Sequence, residues 1–264
     1  MTTFVLLHGA GSDARYWDLV IPHLRGHEVI APNLPVADED AGLAEYARAV
    51  IDAVGGRGGD GLPDADADTG QGGGGRVGGG GQDGAGVDAP GSAGRDRTVL
   101  VAQSMAGFTA PLVARELSAD LIILVNAMVP KPGETPGDWW AATGQPAAAR
   151  ALAVAQGRDP DAPFDPVEIF LHDLPEDLVR ELMSEGPPGQ ADKPFGEPWP
   201  LDAWPDVRTE AVVSTGDRLF PADFQHRVLA DRLGITAVEI DTGHLPAFAR
   251  PAALAALLES FLAD

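Results

Sequence analysis

Short apolar runs alternate with amphipathic stretches along most of the chain. The runs have the length and the Val, Ile and Leu content of buried β-strands. They lie at 3–7, 27–31, 99–102, 120–126, 211–214 and 236–240. Apolar residues recur at helical spacing in 14–24, 43–54, 105–117, 222–233 and 251–262. Strands that alternate with helices form parallel sheets, so the pattern predicts an α/β fold with a mostly parallel sheet covered by helices on both faces.

One segment that breaks this alternation is rich in glycine. Residues 55–96 contain 18 glycines among 42 residues and almost no large apolar side chain. Such a segment buries too little surface to offset the entropy lost on ordering it. We therefore predict a disordered surface insertion at 55–96.

A second break in the pattern spans 128–204, which shows no strand of comparable quality. Three short helical patterns occur there, near 147–156, 166–172 and 176–185. Proline-rich connections lie between them, together with most of the tryptophan. This composition predicts a helical cap at 128–204, inserted into a single α/β core that comprises 1–127 and 205–264.

Composition narrows the classes of partner. The formal net charge of −22 argues against nucleic acid and anionic membrane surfaces. The chain has no cysteine, which excludes disulfides and thiolate metal sites. No apolar run approaches the ~20 residues of a membrane span, and the N-terminus lacks the features of a secretion signal. We expect a cytoplasmic protein without a metal site, monomeric or homodimeric, whose partner is a small molecule.

Ser104 stands between an apolar run and a helical pattern. The run 99–102 predicts a strand, and the helical pattern begins at Met105. A sharp strand-to-helix turn with a serine at its apex is a nucleophile elbow. The turn needs small residues two positions before and after the serine, and Ala102 and Ala106 stand where glycines are usual. The steric requirement is met, so we predict that Ser104 is a nucleophile.

Two further polar residues follow predicted strands. Asp217 comes after the fifth strand and His244 after the sixth, and the carboxyl ends of parallel strands meet at one edge of the sheet. An imidazole can take the proton of a serine hydroxyl while a carboxylate fixes the tautomer of the imidazole. We predict Ser104 as nucleophile, His244 as base and Asp217 as its orienting acid. Asp241 is a rival acid with an awkward reach to His244, and the end of the strand after the elbow holds Asn126 instead of an acid.

Two backbone N–H groups are needed to stabilise the oxyanion of an attacked carbonyl. Met105 follows the nucleophile and begins a helix, whose dipole favours negative charge there. The loop after the first strand supplies the second donor, predicted as Ala10, and Gly9 allows a close backbone approach. His8 is predicted to brace this loop and to take no part in the chemistry.

These motifs together resemble the α/β-hydrolase superfamily, and most closely its small esterases related to plant methylesterases and hydroxynitrile lyases. The similar segments are 5–20, 99–108, 127–140, 215–221 and 242–248. The resemblance covers nearly the whole chain apart from the glycine-rich segment. It implies a Ser104–His244–Asp217 triad, a mobile helical cap after the strand that follows the elbow, and no cofactor.

The two branches of the resembled group differ at two positions. Hydroxynitrile lyases carry a threonine after the first histidine and a lysine directly after the catalytic histidine. The corresponding residues here are Gly9 and Leu245, whose side chains donate no hydrogen bond. The resemblance therefore favours an esterase-type site.

The sequence thus predicts a serine hydrolase that cleaves a small to medium carboxylic ester through an acyl-enzyme. The residues predicted to line the substrate pocket are Gly9, Met128, Trp139, Trp140, Phe220, Leu245 and Phe248. The same triad supports hydrolysis of C–C bonds, lactone opening and cofactor-free perhydrolysis, and the sequence leaves these open. A non-catalytic ligand-binding homologue with a vestigial triad is the alternative from another class.

Overall fold

The computed structural model describes residues 1–56 and 96–263, and within them it contains one six-stranded sheet. The strands are β1 (Thr2–Leu7), β2 (Glu28–Ile30), β3 (Arg97–Gln103), β4 (Leu121–Val125), β5 (Arg208–Ser214) and β6 (Val238–Ile240). Their order is β2-β1-β3-β4-β5-β6, and each neighbouring pair is parallel. The predicted α/β class is confirmed. The predicted disordered insertion at 55–96 lies, from 57 to 95, outside the described residues.

Helices connect the strands and cover both faces of the sheet. They are α1 (Leu43–Gly55), α2 (Ala110–Ala114), α3 (Pro136–Thr143), α4 (Gln145–Ala155), α5 (Pro166–Phe170), α6 (Glu176–Glu185), α7 (Ala222–Leu233), α8 (Pro246–Ala249) and α9 (Pro251–Ser260). Short 3₁₀ helices occur at Ala14–Trp17, Ile21–His23, Ser104–Gly107 and Lys193–Gly196. Among the described residues, no helix is long and apolar enough to cross a lipid bilayer.

Successive residues of each strand point to opposite faces, and each face has its own hydrophobic core. In β3, Leu100 and Ala102 pack towards α1, α2 and α7. Val99 and Val101 pack towards the N-terminal 3₁₀ helices and α9. All four residues are fully buried, and complete burial of a Val or Leu side chain contributes about 1.5–3 kcal/mol. Burial on both faces explains why these strands read as continuous apolar runs.

Proline residues divide two of the predicted helices into shorter ones. The pattern at 14–24 predicts one helix, but the structure has two 3₁₀ helices there, because Pro22 lacks an N–H and would clash with the carbonyl one turn earlier. The predicted helix from Met105 to Leu117 is likewise divided. A 3₁₀ turn ends at Gly107, and Pro111 lies in the first turn of α2.

The segment 128–204, between β4 and β5, carries α3 to α6 and is called here the inserted segment. Two of its tryptophans are almost fully buried against the rest of the chain. Trp199 Nε1 donates to the carbonyl oxygen of Phe108 at 3.1 Å, and the ring of Trp139 packs on that of Phe220 at 5.2 Å between centroids. The segment is therefore packed onto the sheet domain. Its α3 was not predicted from periodicity, although Thr135 and Pro136 are a typical helix start.

A buried ion pair fixes the start of the inserted segment to α7. Arg232 Nη2 donates to Glu134 Oε1 at 2.9 Å, and the two side chains are only 5% and 9% exposed. We expect Arg232→Ala to lower the free energy of unfolding by about 3 kcal/mol, because it leaves a carboxylate buried without its partner. Urea unfolding followed by fluorescence measures this. Arg150→Ala, which breaks the exposed pair with Asp161, should cost at most about 1 kcal/mol, and equal losses in both variants would contradict the prediction.

Candidate active site

Ser104 lies at the carboxyl end of β3 in a strained turn. Its φ of 53° is in the left-handed region, which costs a residue other than glycine about 1–3 kcal/mol and is enriched at active sites. The turn is fixed by the chain that follows β4. The Met128 N–H donates to the Ser104 carbonyl at 2.9 Å, and Gly107 lies so close to the Met128 carbonyl that a Cβ there would clash. The side chain of Ser104 is thereby held at the edge of the sheet.

The three predicted polar side chains converge into one hydrogen-bonded chain. His244 Nε2 lies 3.1 Å from Ser104 Oγ, and His244 Nδ1 lies 2.7 Å from Asp217 Oδ2. His244 and Asp217 are 2% and 0% exposed. With its proton on Nδ1, His244 donates to the carboxylate and accepts from the serine hydroxyl, which is the state that a general base requires.

Asp217 is held by backbone amides of its own loop. Its Oδ1 accepts from the Leu219 N–H at 2.8 Å and from the Phe220 N–H at 2.9 Å. Oδ2 faces His244 and also accepts from Gln225 Nε2 at 3.4 Å. Each carboxylate oxygen therefore has its own partners, and this buried charge is fully hydrogen-bonded. The rival acid Asp241 is instead exposed and pairs with Arg250 at 3.2 Å.

The ring of His244 is enclosed by two aromatic side chains. Phe220 packs edge-on at 5.2 Å between centroids, and Phe170, from the inserted segment, lies at 5.5 Å. The backbone of His244 is also held, because its carbonyl accepts from Asn126 Nδ2 at 3.2 Å and from Gln103 Nε2 at 3.4 Å. The two rings and the hydrogen bonds to its carbonyl therefore hold His244 in place.

Asn126 supports the position of His244. From the sequence it was notable only because an acid could have stood at that position. Its Nδ2 also donates to Ser214 Oγ, and its Oδ1 accepts from the Ser214 N–H, both at 2.8 Å. Ser214 Oγ in turn lies 2.8 Å from Thr242 Oγ1. This buried network ties the ends of β4 and β5 to the loop of His244. A polar residue directly after a fully apolar strand was the available signal.

The loop after β1 lies against Ser104. A Cβ on Gly9 would stand 2.9 Å from the Cβ of Ser104 and would collide with the side chain of Gln103. Only glycine therefore allows this approach. Ala10 lies in this loop, Met105 directly follows Ser104, and both border one narrow crevice. Their amides stay the predicted donors to an oxyanion.

His8 braces this loop, as its sequence position suggested. Its Nε2 accepts from the Leu34 N–H at 3.0 Å, so the ring proton is on Nδ1, which donates to the Gly9 carbonyl at 2.9 Å. The side chain is fully buried. Desolvation lowers the pKa of His8 below its ordinary 6.5 and outweighs the contact with Gly9. The ring is a neutral structural link between two loops.

The burial of His8 is expected to lower the free energy of unfolding at mildly acidic pH. Desolvation also lowers the pKa of His172, helped by the nearby Arg218 guanidinium. Below about pH 6.5 the unfolded chain binds a proton on each ring, whereas the folded chain does not until a lower pH. Unfolding then takes up protons, so we expect the free energy of unfolding to fall as the pH drops below about 6.5, with a slope of at most about 1.4 kcal/mol per pH unit for each ring.

Urea unfolding between about pH 7.5 and about pH 5.5 tests this expectation. His8→Gln should reduce the slope even though it lowers stability at every pH. His23→Gln, at an exposed histidine, is the matched control and should leave the slope unchanged. If the wild type, His8→Gln and His23→Gln all had the same slope, the protonation of His8 would not change on unfolding in this pH range, which would contradict the prediction.

The side chains predicted to line a pocket are divided between the two cores. Met128, Trp139, Trp140 and Phe220 belong to the cluster on the α7 side of the sheet, where Trp139 and Phe220 pack at 5.2 Å. Leu245 and Phe248 belong to the opposite cluster, where Phe248 packs on Tyr16 at 5.1 Å. Of this set, Gly9 and Met128 contact Ser104, and Phe220 packs on His244.

The site contains no set of side chains suited to a metal. Within 1–56 and 96–263, no group of three or more His, Asp or Glu residues is arranged to hold an ion. The chemistry available from the described residues is that of a serine hydroxyl, an imidazole and a carboxylate, with two backbone donors beside them.

This fold and these motifs define an α/β hydrolase. The profile of the alpha/beta hydrolase family matches residues 4–257, and the chain belongs to that family. No curated protein sequence matches the chain.

Solved structures similar to this one include several esterases and related hydrolases. An extracellular alpha/beta-hydrolase from a Paenibacillus species has a TM-score of 0.68 at 18% identity, with 98% of each chain covered. A methylesterase from Arabidopsis has a TM-score of 0.65 at 16% identity, with 99% of each chain covered. A pyrethroid hydrolase from Sphingobium faniae has a TM-score of 0.62 at 20% identity, with 98% of this chain and 96% of its own covered. At these identities the likeness establishes the fold.

Proposed function

We propose that the protein is a serine hydrolase that cleaves small to medium carboxylic esters through an acyl-enzyme. The observation that carries the proposal is the hydrogen-bonded chain from Ser104 Oγ through His244 to Asp217. A buried imidazole with one nitrogen on a carboxylate and the other on a serine hydroxyl is the arrangement that activates a nucleophile.

The reaction has two halves that use the same residues. In the first, Ser104 Oγ attacks the ester carbonyl carbon while its proton passes to His244 Nε2. The tetrahedral oxyanion accepts hydrogen bonds from the amides of Ala10 and Met105. When the C–O bond to the alcohol breaks, His244 returns the proton to the leaving oxygen. In the second half, water attacks the acyl-enzyme, gives its proton to His244, and the acid leaves as Ser104 regains the proton.

A narrow crevice beside the turn of Ser104 is bordered by Ala10, Met105, Leu34 and Tyr46, and it has no room for a water molecule. The cap role of the inserted segment is part of the proposal, because its Phe170 covers the ring of His244.

Esters of p-nitrophenol with acyl chains of increasing length test the function. We expect turnover of these esters, with the dependence on chain length measuring the acyl group that the site accepts, and a fluorophosphonate probe should become attached to Ser104, as located by peptide mass spectrometry. Lactones, aryl ketones and peracid formation are tested alongside, and preference for one of them would replace the ester assignment while keeping the triad. Absence of both turnover and labelling would favour a non-catalytic, ligand-binding homologue.

A further inference from the structure

Asp173, in the loop after α5, contacts the loop that carries the base. Its Oδ2 accepts from the Gly243 N–H at 2.5 Å, one residue before His244. Glycine is needed at 243 for this approach, because a Cβ there would lie 2.6 Å from Asp173 Oδ1. A carboxylate on a backbone amide is a charge-assisted hydrogen bond, which is stronger and more directional than a neutral one.

The same stretch of the inserted segment contacts the loop of the acid. Arg218, next to Asp217, donates from Nη1 to the Glu168 carbonyl at 2.9 Å. Phe170 packs on the ring of His244. Residues 168–173 therefore contact the two loops that carry the acid and the base, and Asp173 is the residue that fixes the backbone next to the base.

Gln190, near the other end of the inserted segment, contacts the loop of the oxyanion donors. Its Oε1 accepts from the Gly11 N–H at 3.0 Å, one residue after Ala10. Its own position is fixed, since Nε2 donates to Tyr46 Oη at 3.2 Å and to the Ala191 carbonyl at 2.9 Å. The side chain thus connects α1, through Tyr46, with the loop of Ala10.

We infer that Asp173 and Gln190 are positioning residues, through which the inserted segment sets the geometry of the base loop and of the oxyanion loop. The inference rests on the proposed ester hydrolysis and adds residues to it. Each side chain binds a backbone N–H that is one residue from a reacting group. Shifts of about 1 Å in such groups lower the reaction rate, because proton transfer and oxyanion stabilisation both depend on short, aligned hydrogen bonds.

Steady-state hydrolysis of p-nitrophenyl acetate by the full chain tests the inference. We expect Asp173→Ala and Gln190→Met each to lower kcat about 5- to 20-fold, the cost of a misaligned hydrogen bond in the transition state, while KM changes less than about twofold. Asp173→Asn keeps an acceptor oxygen and should restore most of kcat. A purely structural role would instead lower the melting temperature and raise KM, with no rescue by Asn.

Two controls lie in the same segment. Asp161→Ala removes an exposed carboxylate that pairs with Arg150, and Gln156→Ala removes an exposed amide bound to Arg158. Both should leave kcat unchanged. The inference is overturned if Asp161→Ala lowers kcat as much as Asp173→Ala does, or if Asp173→Ala and Gln190→Met keep the kcat of the wild type.

Hydrogen–deuterium exchange separates a failure of this inference from a failure of the proposed function. Asp173→Ala should speed exchange in the peptide that contains Gly243, and Gln190→Met in the peptide that contains Gly11, whatever the substrate. If the wild type cleaves no ester, the proposed function fails and this exchange still decides the positioning role. Exchange at the wild-type rate in both variants would overturn it.

Discussion

Replacing Ser104 by alanine is expected to lower kcat for p-nitrophenyl acetate by a factor on the order of 10⁴ to 10⁶. The variant has no atom to form the acyl-enzyme, and His244 has no hydroxyl to activate. The fold should remain, because the change removes one oxygen from a partly exposed side chain, and the backbone bond from Met128 to residue 104 does not involve that oxygen. Stopped-flow and steady-state assays with labelling by a fluorophosphonate measure the loss.

Ser118→Ala is the matched control for this change. Ser118 also has a positive φ, of 48°, but it is exposed in the connection between α2 and β4. It shares the residue type and the backbone strain of Ser104 without the contact to His244. The control should keep wild-type kcat and labelling. A Ser104→Ala variant that retains more than a hundredth of wild-type turnover would show that another group performs the attack.

The parallel sheet and the convergence of Ser104, Asp217 and His244 were predictable because the signals are local. A strand buried on both faces is an apolar run, and a polar residue at its carboxyl end lies at a common edge whenever the sheet is parallel. Ser104, Asp217 and His244 each follow such a run. No knowledge of packing was needed to bring them together, only the topology that the alternation of strands and helices already implied.

The supporting contacts were not predictable from the same signals. Gln190 and Gly11 are 179 positions apart in the chain, and Asp173 and Gly243 are 70 apart. Such pairs depend on how the inserted segment folds back over the edge of the sheet, and its helices have few strong periodic signals. A polar residue in a loop reads as solvated unless its partner is known. The side of the sheet on which Leu245 and Phe248 pack was not predictable either, and the substrate pocket stays a prediction.

Replacing Asp217 by asparagine is expected to lower kcat by a factor on the order of 10³ to 10⁴ with little change in KM. The backbone amides of the loop fix the orientation of the new side chain. Oδ1 of Asp217 accepts from the amides of Leu219 and Phe220, so the carboxamide oxygen must take that place and its NH₂ group must face His244. The NH₂ donates to Nδ1, which moves the ring proton to Nε2, and Nε2 then cannot accept the proton of Ser104.

Asp241→Asn is the control, because Asp241 is the other acid near the base in the sequence and its side chain is 84% exposed. It should hydrolyse esters at the wild-type rate. The melting temperature of Asp217→Asn should stay close to that of the wild type, since both hydrogen bonds from the backbone amides of the loop are kept. The loss of kcat then reports the orientation of the imidazole and not unfolding. If Asp217→Asn kept more than a tenth of wild-type kcat while Asp241→Asn lost it, the acid would have to be reassigned to Asp241, despite the 2.7 Å contact between Asp217 and His244.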